Sequence, residues 1–95
     1  MARQIVLPFE KWSGAGNDFL LVHARDLLAA SARPALTRRL CARRTGIGAD
    51  GLIVLRASTR AAEYRNADGR RAAFCGNGAR CVGARLLQDA AVEEV

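Results

Sequence analysis

Short apolar runs alternate with glycine-rich breaks along this chain, and the breaks set the order of its elements. Gln4 to Phe9 is apolar and partly β-branched, which predicts a first strand. Ser13-Gly14-Ala15-Gly16-Asn17-Asp18 is a predicted turn, and Phe19-Leu20-Leu21-Val22 a strand covered on both faces. Asp26 to Arg33 is a polar, alanine-rich connection. Pro34 suits the first position of a helix. From Ala35 to Arg44, Leu36, Leu40 and Cys41 recur at helical spacing, with arginines toward the end that the helix dipole makes negative. Gly46 and Gly48 end that helix, and Leu52 to Leu55 predicts a third strand. Ala61 to Asn66 and Arg71 to Phe74 flank Ala67-Asp68-Gly69, and Asp-Gly between short strands signals a hairpin. From Asn77 onward the pattern turns helical, with Ala79, Val82, Leu86 and Ala90 three or four apart. The order strand, strand, helix, strand, hairpin, helix predicts a mixed α/β (α+β) fold with strands wrapped around one central helix.

Composition narrows the class. A chain of 95 residues, 51% of them hydrophobic, makes one small globular domain with a thin core. The net charge of +6 is almost all arginine, with Lys11 the only lysine. The arginines are scattered and the aromatic residues form no stacking platform, so a solvated surface is expected and not a nucleic-acid partner. Met1 to Pro8 lacks the apolar core of a secretory signal, and no run approaches the roughly 18–20 residues of a membrane span. A cytoplasmic location without a membrane partner is expected. Cys41, Cys75 and Cys81 are an odd set without a Cys-x-x-Cys pair, and His23 is the single histidine. Reduced thiols are therefore expected, with neither a disulfide framework nor a metal site.

The stretch Cys75-Gly76-Asn77-Gly78-Ala79-Arg80-Cys81 carries the most chemistry. A thiol one step before a glycine-rich turn that opens into a helix meets a positive local field, which favours the thiolate. Backbone amides at the same place can hold a carboxylate. Cys81, six residues on, points about 240° away from Cys75 on a regular helix and is read as packing. The Gly14-Ala15-Gly16 turn is not a dinucleotide fingerprint, because a strand and not a helix follows it. Asn17 either donates to a ligand carboxylate or caps its own turn. Asn66 ends the strand that enters the hairpin, and local chemistry alone makes it a turn residue. A reactive thiolate beside a carboxylate cradle suggests proton chemistry at the α-carbon of an amino acid.

Three blocks, in order, resemble the diaminopimelate epimerase family. Lys11 to Phe19 resembles its N-terminal Lys-x-His-Gly-x-Gly-Asn-Asp-Phe segment, with Ser13 in place of the histidine. Gly46-Ile47-Gly48-Ala49-Asp50-Gly51-Leu52 resembles the next block, with Gly51 where some members carry a substrate-contacting glutamine. Asn66 to Gly69 followed by Cys75 to Cys81 resembles the signature. The resemblance implies a cofactor-independent isomerase that interconverts LL- and meso-diaminopimelate on the route to lysine. It also implies two similar α/β halves, each giving one cysteine to a site between them. Cys75 then corresponds to the first-half catalytic cysteine, Asn17 and Asn66 to substrate-binding asparagines, and Gly76 and Asn77 to the amides that hold the α-carboxylate. The partner is the small-molecule substrate, and a family-like homodimer is compatible with a full-length member. On this resemblance residues 1–95 are part of the first half, the second half is absent, and the chain alone is expected to be inactive. A relative of proline racemase or hydroxyproline epimerase, and a non-catalytic basic binding remnant, stay open as alternatives.

Overall fold

The computed structural model of the chain describes residues 7–14, 16–27, 32–72, 79 and 82–86. Its strands are β1 (Glu10–Gly14), β2 (Asn17–His23), β3 (Gly51–Arg56) and β4 (Ala61–Asn66), with helix α1 (Arg33–Cys41) between β2 and β3. They form one four-stranded sheet in the order β1-β2-β3-β4. β1 and β2 are antiparallel, β2 and β3 parallel, and β3 and β4 antiparallel. The parallel pair requires a crossover, and α1 supplies it.

Every residue from Phe19 to Val22 and from Leu52 to Leu55 is buried, as continuous apolar runs predict. Alternation then divides them between two faces. Phe19, Leu21, Ile53, Leu55 and Tyr64 form one cluster, joined by Trp12, Ala62, Ala72 and Val82. Leu20, Val22, Leu52 and Val54 form the other with Cys41 and Ala49, joined by Leu40. Residues 79 and 82–86 are helical, and Val82 packs on the first face while α1 covers the second. The architecture is thus mixed α/β, a sheet with helix on both sides. No helix among the described residues is long and apolar enough to cross a membrane.

Several boundaries differ from those the pattern predicts. The first strand is not at 4–9: residues 1–6 lie outside the described residues, Leu7 to Phe9 are not in a strand, and β1 begins at Glu10. β1 is an edge strand, and its one apolar inward residue is Trp12, so its alternation is too thin to stand out. Gly14 pairs with Asn17, which shortens the predicted six-residue turn to the two residues between them. Gly16 takes φ +97°, and a Cβ built there would meet nothing within 4 Å. Conformation alone, and not space, calls for glycine at that position.

α1 starts at Arg33 and ends at Cys41, three residues before the predicted end. Ala42 turns extended, and the chain folds back so that Gly46 N–H donates to the Ala42 carbonyl at 3.0 Å and Ile47 N–H to the Leu40 carbonyl at 2.9 Å. These bonds satisfy carbonyls that the helix end would otherwise leave bare. A Cβ on Gly46 would run into the Arg39 carbonyl oxygen. β4 falls on the predicted Ala61–Asn66, and Arg71 bridges back to Arg65, so the hairpin forms as expected. Residues 73–78 of the predicted return strand lie outside the described residues.

Candidate functional site at the Asn17 and Asn66 end of the sheet

The register brings both asparagines to one end of the sheet. β2 and β3 start there, and β4, running the other way, finishes there. Phe19, Gly51 and Asn66 form one row across the three strands. Two strand spacings separate the outer members by about 10 Å, and Asn17 stands two residues beyond Phe19. Carboxamides offer both a donor and an acceptor, which suits a polar ligand with charged ends.

A charged clasp underlies this end. Asp18, second in β2, and Asp50, just before β3, each bind the other's backbone: Asp50 N–H donates to Asp18 Oδ1 at 3.0 Å, and Asp18 N–H to Asp50 Oδ2 at 3.1 Å. Two carboxylates this close repel unless cations stand between them. Arg43, in the loop after α1, does so: its Nη1 and Nη2 donate to the two oxygens of Asp18 at 2.9 and 2.8 Å, and Nη2 also reaches Asp50 Oδ1 at 3.0 Å. Lys11 Nζ adds a contact to Asp18 Oδ2 at 3.1 Å and donates to the Gly48 carbonyl at 2.7 Å. The Arg43 guanidinium, helped by Lys11 and the Asp50 amide, holds the Asp18 carboxyl far below the usual carboxylate range. The same hydrogen bonds and charge from Asp18 push Arg43 further up. Asn17 joins the clasp by donating from Nδ2 to Asp50 Oδ2 at 3.2 Å.

The Asn66 hairpin is fixed separately. Gly69 N–H donates to the Asn66 carbonyl at 2.9 Å, and Asn66 N–H to the Arg70 carbonyl at 2.9 Å. Gly69 takes φ +92°, and a Cβ there would stand 2.5 Å from the Pro34 carbonyl oxygen. This is a three-residue hairpin loop closed by a left-handed glycine. The buried Arg65 guanidinium ties it down, donating to the Gly69 carbonyl at 2.8 Å and to Glu63 Oε2 at 2.7 Å. Gly51, in register with Asn66, is buried, and a Cβ on it would lie 2.7 Å from the Arg65 carbonyl oxygen. That position admits no side chain without displacing β4.

The expected residues therefore divide. Asn17 and Asn66 are brought to the same end, whereas Cys75, Gly76 and Asn77 lie outside the described residues, as does Cys81. Cys41, the last residue of α1, is buried against the sheet, where burial and the nearby Asp18 charge push its thiol up. Among the described residues no group of three His, Cys, Asp or Glu side chains could hold a metal. A cavity of about 200 Å³ lined by His23, Ala24, Arg25, Leu55, Arg56 and Ser58 lies at the opposite end of the sheet. There, too, burial alone would raise the Glu10 carboxyl, but hydrogen bonds from Trp12 and Arg85 and the charges of Arg85 and His23 together keep it below the ordinary value. Sequence reasoning singled out none of Lys11, Asp18, Arg43 and Asp50 for a role. Asp18 and Asp50 each follow a glycine-rich segment, a usable signal, but Arg43 has nothing to mark it among so many arginines.

The family model for diaminopimelate epimerase matches residues 9–95 of the chain. A diaminopimelate epimerase of Synechococcus sp. (strain JA-3-3Ab) is 45% identical over 87 residues, which cover 87% of this chain and 30% of that protein. One of Methanopyrus kandleri is 44% identical over 80 residues, or 80% of this chain and 29% of the relative. A chloroplastic diaminopimelate epimerase of Oryza sativa subsp. japonica is 40% identical over 79 residues, covering 79% of this chain and 22% of the relative. The chain thus spans between 22% and 32% of the length of these and other curated relatives it matches.

Proposed function

The chain belongs to the diaminopimelate epimerase family, and from that premise we propose that it carries part of a site that interconverts LL- and meso-diaminopimelate by proton transfer at the α-carbon. Inverting a stereocentre requires a proton to leave one face and another to arrive on the opposite face, so two acid/base groups are needed. Cys75 is one of them. A cysteine suits this role because a local positive field brings its pKa toward neutrality. Whether it takes or gives the proton depends on the isomer bound. Gly76 and Asn77 offer backbone N–H groups to the substrate carboxylate, and fixed dipoles there stabilise the carbanionic intermediate. Asn17 and Asn66 hold the substrate in place. Water has to be excluded for the thiolate to be basic enough, which calls for closure over the ligand. No cofactor is required by this scheme. With one such thiol, the chain by itself does not turn over substrate.

The observation that supports this reading is the family match over residues 9–95, a range that includes the Cys75 motif, together with a sheet end to which the register brings both asparagines. A ligand panel on the chain tests it. Diaminopimelate is expected to raise the midpoint of thermal unfolding, by about 4–8 °C for each kcal/mol of ligand stabilisation. Proline and 4-hydroxyproline are expected to leave it unchanged. Stabilisation by proline or 4-hydroxyproline, with none by diaminopimelate, would assign the site to another amino-acid isomerase.

A further inference from the structure

Asp50 stands between the two asparagines and touches both segments. Its Oδ2 accepts from Asn17 Nδ2 at 3.2 Å and its Oδ1 from Arg43 Nη2 at 3.0 Å. Its backbone carbonyl accepts the N–H of Ala67, the residue after Asn66, at 3.1 Å. From these contacts we propose that Asp50 is a positioning residue that sets the two asparagines relative to each other. Its carboxylate orients the Asn17 carboxamide, its carbonyl anchors the Asn66 turn, and Arg43 holds the carboxylate in place. The role in catalysis rests on the reading of Asn17 and Asn66 as substrate contacts.

The physical reason lies in the carboxamide itself. Its oxygen and nitrogen ends are nearly the same size, so shape alone does not fix which end points where. A carboxylate does fix it. The nitrogen end donates to Asp50, whereas a flipped amide would set its oxygen against a negative charge. Asp50 is itself fixed from three directions, by Arg43, by the Asp18 N–H and by its own N–H on Asp18. Asn17 is thereby oriented before any ligand arrives, which lowers the ordering cost of binding.

Side-chain amide NMR of the ¹⁵N-labelled chain tests the proposal in the wild type and in Asp50→Ala, Asp50→Asn and Arg43→Ala. In Asp50→Ala, exchange of the Asn17 side-chain amide protons with water is expected to rise about tenfold, as for the loss of one hydrogen bond to a charged group. The Asn66 side-chain signals and the Ala67 backbone amide should hold, because the carbonyl of residue 50 remains. Asp50→Asn keeps an acceptor oxygen, and Arg43→Ala leaves the carboxylate in place but loose. Both should give intermediate exchange, and they carry the comparison if Asp50→Ala does not fold. An Asn17 amide in the folded variants as slow as in the wild type would overturn the proposal. Titration with diaminopimelate separates the two layers of the argument. Weaker binding in Asp50→Ala, with no further loss when Asn17→Ala is added, supports the positioning role; fully additive losses overturn it. A wild-type Asn17 that gives no response to diaminopimelate would refute the functional reading, and the amide comparison alone then decides the positioning claim.

Discussion

Asp18 is gripped from two sides by cations, and its chemistry follows from that. Arg43 takes both carboxylate oxygens and Lys11 one of them, so the folded protein keeps Asp18 ionised far below the ordinary aspartate value of 3.8. A carboxyl whose folded pKa is depressed contributes stability above its unfolded pKa and loses it as pH falls toward the folded value. The contribution is therefore complete at neutral pH and fades below the ordinary carboxylate range. Asp18→Asn is expected to cost about 1–3 kcal/mol at pH 7, since it breaks a bidentate, charge-assisted pair beside a satisfied backbone amide. Urea unfolding of wild type and variant between pH 7 and pH 3 checks this. The gap between them should narrow on acidification; a gap constant with pH would show that the Asp18 charge does not stabilise the fold.

At the scale of elements, the tight turn after α1 matters most for the site because it delivers both Arg43 and Asp50. Gly46 sits where a Cβ would collide with the Arg39 carbonyl, and Gly48 takes φ +89°. Gly46→Ala is expected to destabilise the protein by about 1–3 kcal/mol, through overpacking against a backbone that cannot retreat. A midpoint within a few tenths of wild type, read by circular dichroism, would mean that the turn is looser than its hydrogen bonds indicate. Elements with strong local signals were legible in the sequence. β3 and the core of β2 were continuous apolar runs, and β4 stopped at Asn66 because Asp68-Gly69 favours a hairpin. β1 was not legible, since an edge strand buries few side chains and Trp12 alone gives no period. The end of α1 departs from the sequence pattern for a different reason. Gly46 and Gly48 shape the turn that follows the helix, and the helix stops at Cys41, where Ala42 leaves helical geometry.

At the scale of the whole molecule, the sheet carries its two cores on its faces and its polar groups at its ends. The asparagines reach one end because a parallel pair and a hairpin share the same register, a long-range outcome that local sequence does not display. Local chemistry makes Asn66 a turn residue and leaves Asn17 open; it is the resemblance of whole blocks that marks both as candidate ligand contacts. The Asp50 clasp was harder still, since it joins Asn17 to a residue 33 positions away. The Cys75 motif, by contrast, is compact enough to read directly. Alkylation of the chain by iodoacetamide near pH 7.5, followed site by site by mass spectrometry with and without saturating diaminopimelate, tests the central claim most directly. Cys75 is expected to react about tenfold or more faster than the buried Cys41, faster than Cys81, and to be protected by diaminopimelate. Equal labelling of the three thiols, or a Cys75 rate that diaminopimelate leaves unchanged, would contradict an activated thiolate at a substrate site.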